Sequence, residues 1–293
     1  MKRPAAAFVA AACCAAAAAA GTAAPPAAGL GTGNFVDVGD TVVDMLDTSG
    51  LAFSTLVIGQ ADASPYRHAA YGAPAPLPLT HPFESRCPGG GSITGSMRDG
   101  DASDDVSVQD RFVTVFHACR LDGGVVTGSS EFTVASHRFD GTTEITELDF
   151  VFKQLGTDTL RWSGPARVTL RSDSRTGSDH YVVLYRDLAV TRKGHPYRWN
   201  FTLEVKHPPL GDDTASINGS MSMRGMTLRL DQEEPFVMAE GAAHDGRLVA
   251  SDAQGSRLLI EADRGGYAYR LFLHGHRGDV PDAQSHSRPA AAR

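Results

Sequence analysis

Four groups of side chains in this sequence could do chemistry. The densest is Asp99-Gly100-Asp101-Ala102-Ser103-Asp104-Asp105, with Asp110 further on. Asp99, Asp101 and Asp110 fall where an EF-hand-like loop places its first, third and twelfth ligands, and calcium takes roughly six to eight oxygens. Asp104, however, stands where that loop needs Gly, and no flanking helices are apparent. A solvated hairpin tip accounts for the stretch better than a calcium site. The second is Met221-Ser222-Met223-Arg224-Gly225-Met226. Thioethers two residues apart share a strand face, as a Cu(I) site would require. Ile217, Gly219, Met221 and Met223 have the same parity, so a core face explains them more simply. Gly225 would then allow a bulge that turns Met226, Leu228 and Leu230 inward. The third, His274-Gly275-His276, puts two rings on one strand face, which is an incomplete metal set; exposure at a strand end is the plainer reading. Last, Trp162 and Trp199 could stack on sugars, but both sit in aromatic-rich strands where core packing suffices.

The motifs of common enzymes are absent. There is no Gly-x-Ser-x-Gly elbow, no His-Glu-x-x-His, no phosphate loop ending in Gly-Lys and no dinucleotide glycine pattern. Carboxylates are numerous enough for a glycosidase pair, yet no pair is singled out. No catalytic, cofactor-binding or metal residue is assigned, and no cofactor is expected.

The elements that must position any site follow from composition and pattern. Met1-Lys2-Arg3 and the Ala-rich run to Ala20 read as a secretory signal peptide over residues 1–24, cleaved after Ala20 or Ala24. Cys13 and Cys14 lie inside it. A lipoprotein signal wants Leu or a similar residue three before the Cys; Ala10 and Ala11 occupy those places, so lipidation at Cys13 or Cys14 stays open. Two cysteines remain, Cys87 and Cys119, and an oxidising compartment favours a disulfide between them. Two cysteines alone do not make a structural zinc site. With 27 basic and 34 acidic residues the net charge is −7, and no basic block appears. Nucleic-acid binding has no electrostatic support. No later apolar run approaches the ~20 residues of a transmembrane helix.

Residues 25–34 read as a linker of Gly, Ala, Pro and Thr. A short N-terminal helix follows, capped by Asp40, with Val42, Leu46, Phe53 and Val57 on one face and Gly50 interrupting it; paired short strands at Val36-Val38 and Leu56-Ile58 are the alternative. Residues 61–86, rich in Pro, read as an irregular crossing segment. From Cys87 onward the period is two, broken by Gly, Asp, Asn and Ser clusters, and about ten to twelve strands are expected. A motif of apolar, polar, Gly, small recurs around Gly95, Gly128, Gly164, Gly219 and Gly241. Glycine inside a strand marks a bulge or close backbone approach, so aligned glycines would curve the sheet. The fold expected is all-β: one large curved antiparallel meander of hairpins over residues 35–278, with the helix in its concave face. Residues 279–293 read as a disordered polar tail.

Cys87-Pro88-Gly89-Gly90-Gly91-Ser92, the Phe112-x-x-x-Phe116-x-x-Cys119 strand and the Gly123-x-x-x-x-Gly128-Ser129 return resemble exported β-rich envelope proteins of Gram-negative bacteria, in pattern across residues 35–275. The resemblance implies an exported protein of the periplasm or outer-membrane surface and a β fold; no activity comes with it. The expected function is non-enzymatic binding or scaffolding, with an apolar ligand or an envelope component as partner. An envelope glycan or peptide hydrolase and a surface adhesion or assembly module are the alternatives.

Overall fold

The computed structural model describes residues 29–46, 79–101, 107–121, 124–239, 242–263, 266–275 and 281–287. The expected signal peptide with Cys13 and Cys14, the helix positions Gly50, Phe53 and Val57, the strand Leu56-Ile58, Asp104, Asp105, Gly241 and His276 lie outside them.

Among the described residues strand makes up 71% and helix 6%, as the period-two pattern requires. Residues 35–46 form a helix, α1. The strands are β1 (Leu79–Arg86), β2 (Ser92–Asp99), β3 (Arg111–Leu121), β4 (Gly124–Asp140), β5 (Thr143–Gly156), β6 (Leu160–Asp173), β7 (Ser178–Tyr185), β8 (Leu188–Arg192), β9 (His195–His207), β10 (Asp213–Met223), β11 (Met226–Ala239), β12 (Ala242–Ser251), β13 (Arg257–Asp263), β14 (Gly266–Phe272) and β15 (Ala283–Ser287). They build one 15-stranded antiparallel sheet in which nearly every strand pairs with its sequence neighbour. β8 continues the line of β7 after a break: β7 pairs with β6 and β9, and so does β8. One face is apolar from end to end, with Ile93, Phe116, Phe150, Val168, Leu203, Ile217, Leu228, Leu258 and Tyr269 all buried in a single core. The other face carries cross-strand ion pairs such as Arg167 with Asp149 (2.7 Å) and Arg111 with Glu131 (2.7 Å).

Several boundaries differ from expectation, each for a local reason. Leu79–Arg86 of the Pro-rich segment is a strand, because β1 is an edge strand, where the missing N–H of Pro82 breaks no ladder on its outer side. The polar tail supplies β15, which bonds to β14 through its backbone and packs Ala283 on the core; Asp282 accepts from the Leu273 N–H at 2.6 Å. The linker is not idle at its end: Leu30 is buried and its N–H donates to Asp252 Oδ2 at 2.8 Å. Asp40 does not cap α1. The helix starts earlier, where the Phe35 N–H reaches the Gly31 carbonyl and the Asn34 side chain bridges Gly29 and Gly31. Gly225 is not a bulge within a strand; with Arg224 it forms a two-residue hairpin turn, both at positive φ (77° and 48°), between Met223 and Met226.

The sheet is bent where the glycine motif falls. The register slips in β3 between Phe116 and Cys119 and in β5 between Phe152 and Leu155, and the chain breaks between β7 and β8. Ala118, Gln154 and Asp187 sit at these three points with φ of 49°, 50° and 53°. Gly128 lies between the first two bulges and Gly164 between the last two. A bulge adds a residue to one strand, bends it and tightens its twist, so a row of bulges curls the sheet. At Gly128 φ is +98° and a Cβ would sit 2.2 Å from the Gln154 carbonyl oxygen. Gly128→Ala is therefore expected to cost about 2–3 kcal/mol through backbone strain alone, read as a lowered urea midpoint. An unchanged midpoint would show that the bend does not need this glycine.

Cys87 and Cys119 are bonded, with Cα atoms 5.4 Å apart, and clip the β1–β2 turn onto β3. The Cys-Pro-Gly-Gly-Gly stretch lies flat against β3. Gly89 N–H donates to Arg120 O, and Arg120 N–H to Gly90 O. A Cβ on Gly91 would meet the Ala118 carbonyl oxygen at 2.2 Å.

α1 measures the curvature. Arg192 at the end of β8 contacts Asp44, and Tyr269 in β14 donates to Asp40 at 3.0 Å. Six strand spacings separate β8 from β14, roughly 29 Å in a flat sheet. Asp40 and Asp44 are one helical turn apart, about 6 Å along the axis. Only a sheet curled around α1 brings both strands to them. No described helix is long and apolar enough to cross a membrane.

Candidate ligand site on the inner face

Alternation alone decides which residues face inward, and the registers stack them into layers. The rim layer runs Phe139, Glu144, Ser172, Asp179, His207, Asp213, Met238 across β4 to β11. One step deeper lie His137, Thr146, Leu170, Tyr181, Val205, Ala215 and Phe236. Below them come Leu148, Val168, Val183, Leu203 and Ile217, then Phe150, Ala166, Tyr185 and Phe201. Exposure falls with depth: 69% at Phe139, intermediate at Leu170, Tyr181 and Val205, and 2% or less at Val168, Leu203 and Ile217.

The opposite end is sealed by α1. Phe35, Val38, Val42, Val43, Met45 and Leu46 are buried, while Asp37, Asp40 and Asp44 form a stripe along its remaining edge. Arg192, itself 6% exposed, donates through Nε to Asp44 and lies 3.4 Å from Asp37 and 3.3 Å from Thr41 Oγ1. Arg224 in the β10–β11 turn reaches Asp37 at 3.1 Å. Burial works against the Arg192 charge, but the Asp44 carboxylate outweighs it and holds the guanidinium above its ordinary pKa. Gly39 lets the helix touch the Tyr269 ring, where a Cβ would be 2.6 Å away.

Among the described strand residues, Arg192 is the one Arg or Lys on the buried face; the others point outward by parity. The rim is instead acidic. His207 Nδ1 and Asp213 Oδ1 are 2.6 Å apart, and the Tyr181 ring meets the His207 ring edge-on at 5.1 Å. Burial, together with Asp179 and Asp213, raises the Tyr181 hydroxyl above the usual phenol range. In the deeper aromatic layer burial alone does the same to Tyr185, which packs against Trp199 (5.8 Å) and Phe201 (5.0 Å). The Trp199 indole N–H is buried with no hydrogen-bond partner among the described residues.

The residues singled out from sequence fall into place as follows. Met221, Met223 and Met226 are buried in the core, with Met221 directly opposite Trp199. Trp162 and Trp199 are core residues too. His274 is exposed at the end of β14. The acidic stretch differs from the solvated tip expected: Asp99 and Asp110 are buried, because the loop folds onto their carboxylates. Asp110 accepts from the Gly100 N–H (2.9 Å), the Ser107 N–H (2.8 Å) and the Ser107 hydroxyl (3.0 Å), and Asp99 from the Asp101 N–H (3.0 Å). Asp99, Asp101 and Asp110 have oxygens within 4.8 Å of one another.

The rim His207–Asp213 pair was not singled out from sequence. Its one local signal is that His207 ends a period-two strand; that Asp213 faces it depends on the β9–β10 register. For a hydrolase with a Ser or Thr nucleophile, a hydroxyl must also reach the imidazole. Thr94 Oγ1 lies 2.7 Å from His117 Nε2, on the outer face, but among the described residues no carboxylate orients that ring. No family model, curated protein or solved structure matches the chain.

Proposed function

We propose that this is an exported, non-enzymatic binding protein that holds an apolar ligand on the inner face of its curled sheet, beneath α1. The observation that supports it is the one-sided exposure of that face. Leu170, Val205, Met238 and Phe139 continue the buried apolar surface out to a half-exposed rim, while α1 closes the other end. A concave apolar surface open at one mouth, with a few polar groups at its edge, is what small-molecule sites share. The secretory start, the Cys87–Cys119 disulfide and the lack, among the described residues, of a completed nucleophile–base–carboxylate set point the same way.

Delipidated mature protein is expected to bind the apolar dye Nile red saturably. Leu170→Asp, which places a charge in the mouth, is expected to weaken that binding by about tenfold or more, with the circular dichroism spectrum and melting temperature kept. Absence of saturable binding to the unaltered protein would overturn the proposal.

A further inference from the structure

Given an apolar ligand on the inner face, we infer that its buried end carries an uncharged hydrogen-bond acceptor, an ester, amide or ketone oxygen, recognised by the indole N–H of Trp199. Trp199 is 3% exposed, and among the described residues its buried N–H has no partner. Buried donors are almost always paired in native proteins, so an orphan asks for an acceptor that is missing. The neighbours do not supply one. Across the ladder Trp199 faces Leu188 on one side and Met221 on the other. Its ring neighbours are Tyr185 and Phe201. A thioether is only a weak acceptor, and the Tyr185 hydroxyl, which can donate or accept, makes no bond with the indole.

The charge of the acceptor follows from what surrounds it. Arg192 is the one basic side chain on the buried face of the described strands, and Asp44 and Asp37 already hold it. A carboxylate or phosphate brought to Trp199 would be buried without a counter-charge, which is strongly unfavourable. A neutral carbonyl carries no such penalty, and it gains the hydrogen bond that the indole otherwise lacks. The apolar remainder of the ligand would run toward the rim past Tyr181, Leu170 and Val205, the half-buried residues of the inner face.

The test uses the full mature chain, delipidated and loaded with Nile red, displaced by hexadecane, methyl palmitate or palmitate at equal free concentration. Methyl palmitate is expected to displace the dye roughly tenfold better than hexadecane, the worth of one buried hydrogen bond, and better than palmitate. Trp199→Phe keeps the ring and removes the donor; it is expected to abolish the ester's advantage and leave hexadecane unchanged. In a Trp162→Phe background, Trp199 is the sole indole of the chain, and its emission should shift with the ester and not with hexadecane. Equal displacement by ester and hexadecane, or an advantage that survives Trp199→Phe, would overturn the inference. The indole would then be satisfied by the Tyr185 ring, which meets it edge-on at 74°. Preference for palmitate would overturn the uncharged class. Failure of Nile red to bind at all would overturn the proposed function, and the acceptor with it.

Discussion

Arg192→Ala is expected to destabilise the protein by about 3–5 kcal/mol, the cost of breaking a buried ion pair from one side. Arg192 is the point where α1 is fastened to the sheet: Asp44, Asp37 and Thr41 all turn toward its guanidinium. Without it Asp44 keeps a largely buried charge, and only Arg224, from the β10–β11 turn, remains near Asp37. The loss should appear in two measurements. The denaturant midpoint should fall, and amide exchange should speed up first in residues 35–46, since that helix has lost its charged grip while its apolar face still docks. The double variant Arg192→Leu with Asp44→Leu separates charge from packing. Replacing both partners with apolar groups removes the buried carboxylate together with the guanidinium, so most of the stability should return. If the single variant melts like the parent, or if exchange rises evenly over the sheet, α1 is not held by this pair.

Loss of the disulfide has the next largest expected effect. Cys87 and Cys119 are 32 residues apart in sequence, and closing a loop of that length is worth about 3–4 kcal/mol on the chain-entropy estimate. Cys87→Ala with Cys119→Ala is the fair comparison, because it leaves no buried free thiol. The glycine-rich turn keeps its backbone bonds to Arg120 whether or not the sulfurs are joined. The native geometry should therefore survive, with the effect residing mainly in a freer unfolded chain. Urea unfolding should show a lower stability and a steeper slope, the mark of an unfolded state that exposes more surface. An unchanged stability would mean that the turn is fixed by its own hydrogen bonds.

Both expectations start from features that the sequence displayed to different degrees. The pairing of Cys87 with Cys119 was legible, because only two cysteines follow the Ala-rich N-terminal run. The curled meander was legible as well. Period-two alternation such as Trp199-Phe201-Leu203 names the buried face, and the glycines at 128 and 219 mark where backbones approach too closely for a side chain. The role of Arg192 was not legible. The alternation Leu188-Val190-Arg192 puts it on the buried face, but its partners Asp37, Thr41 and Asp44 lie on a helix about 150 residues earlier. Asp40 misled for the same reason. A carboxylate near a helix start looks like a cap, but its partner is Tyr269, 229 residues away.

The amino-acid sequence by itself determined the class of fold, the face each strand buries, the bridged cysteines and the bend points, because those depend on alternation, on counting and on glycine's freedom over a few residues. Tertiary structure alone decided the fastening of α1, the rim pair His207 and Asp213, the extra strands β1 and β15, and the unpartnered indole of Trp199. These depend on which strands lie side by side and how far the sheet curls, and that is set by contacts between residues remote in the chain, to which local periodicity is blind.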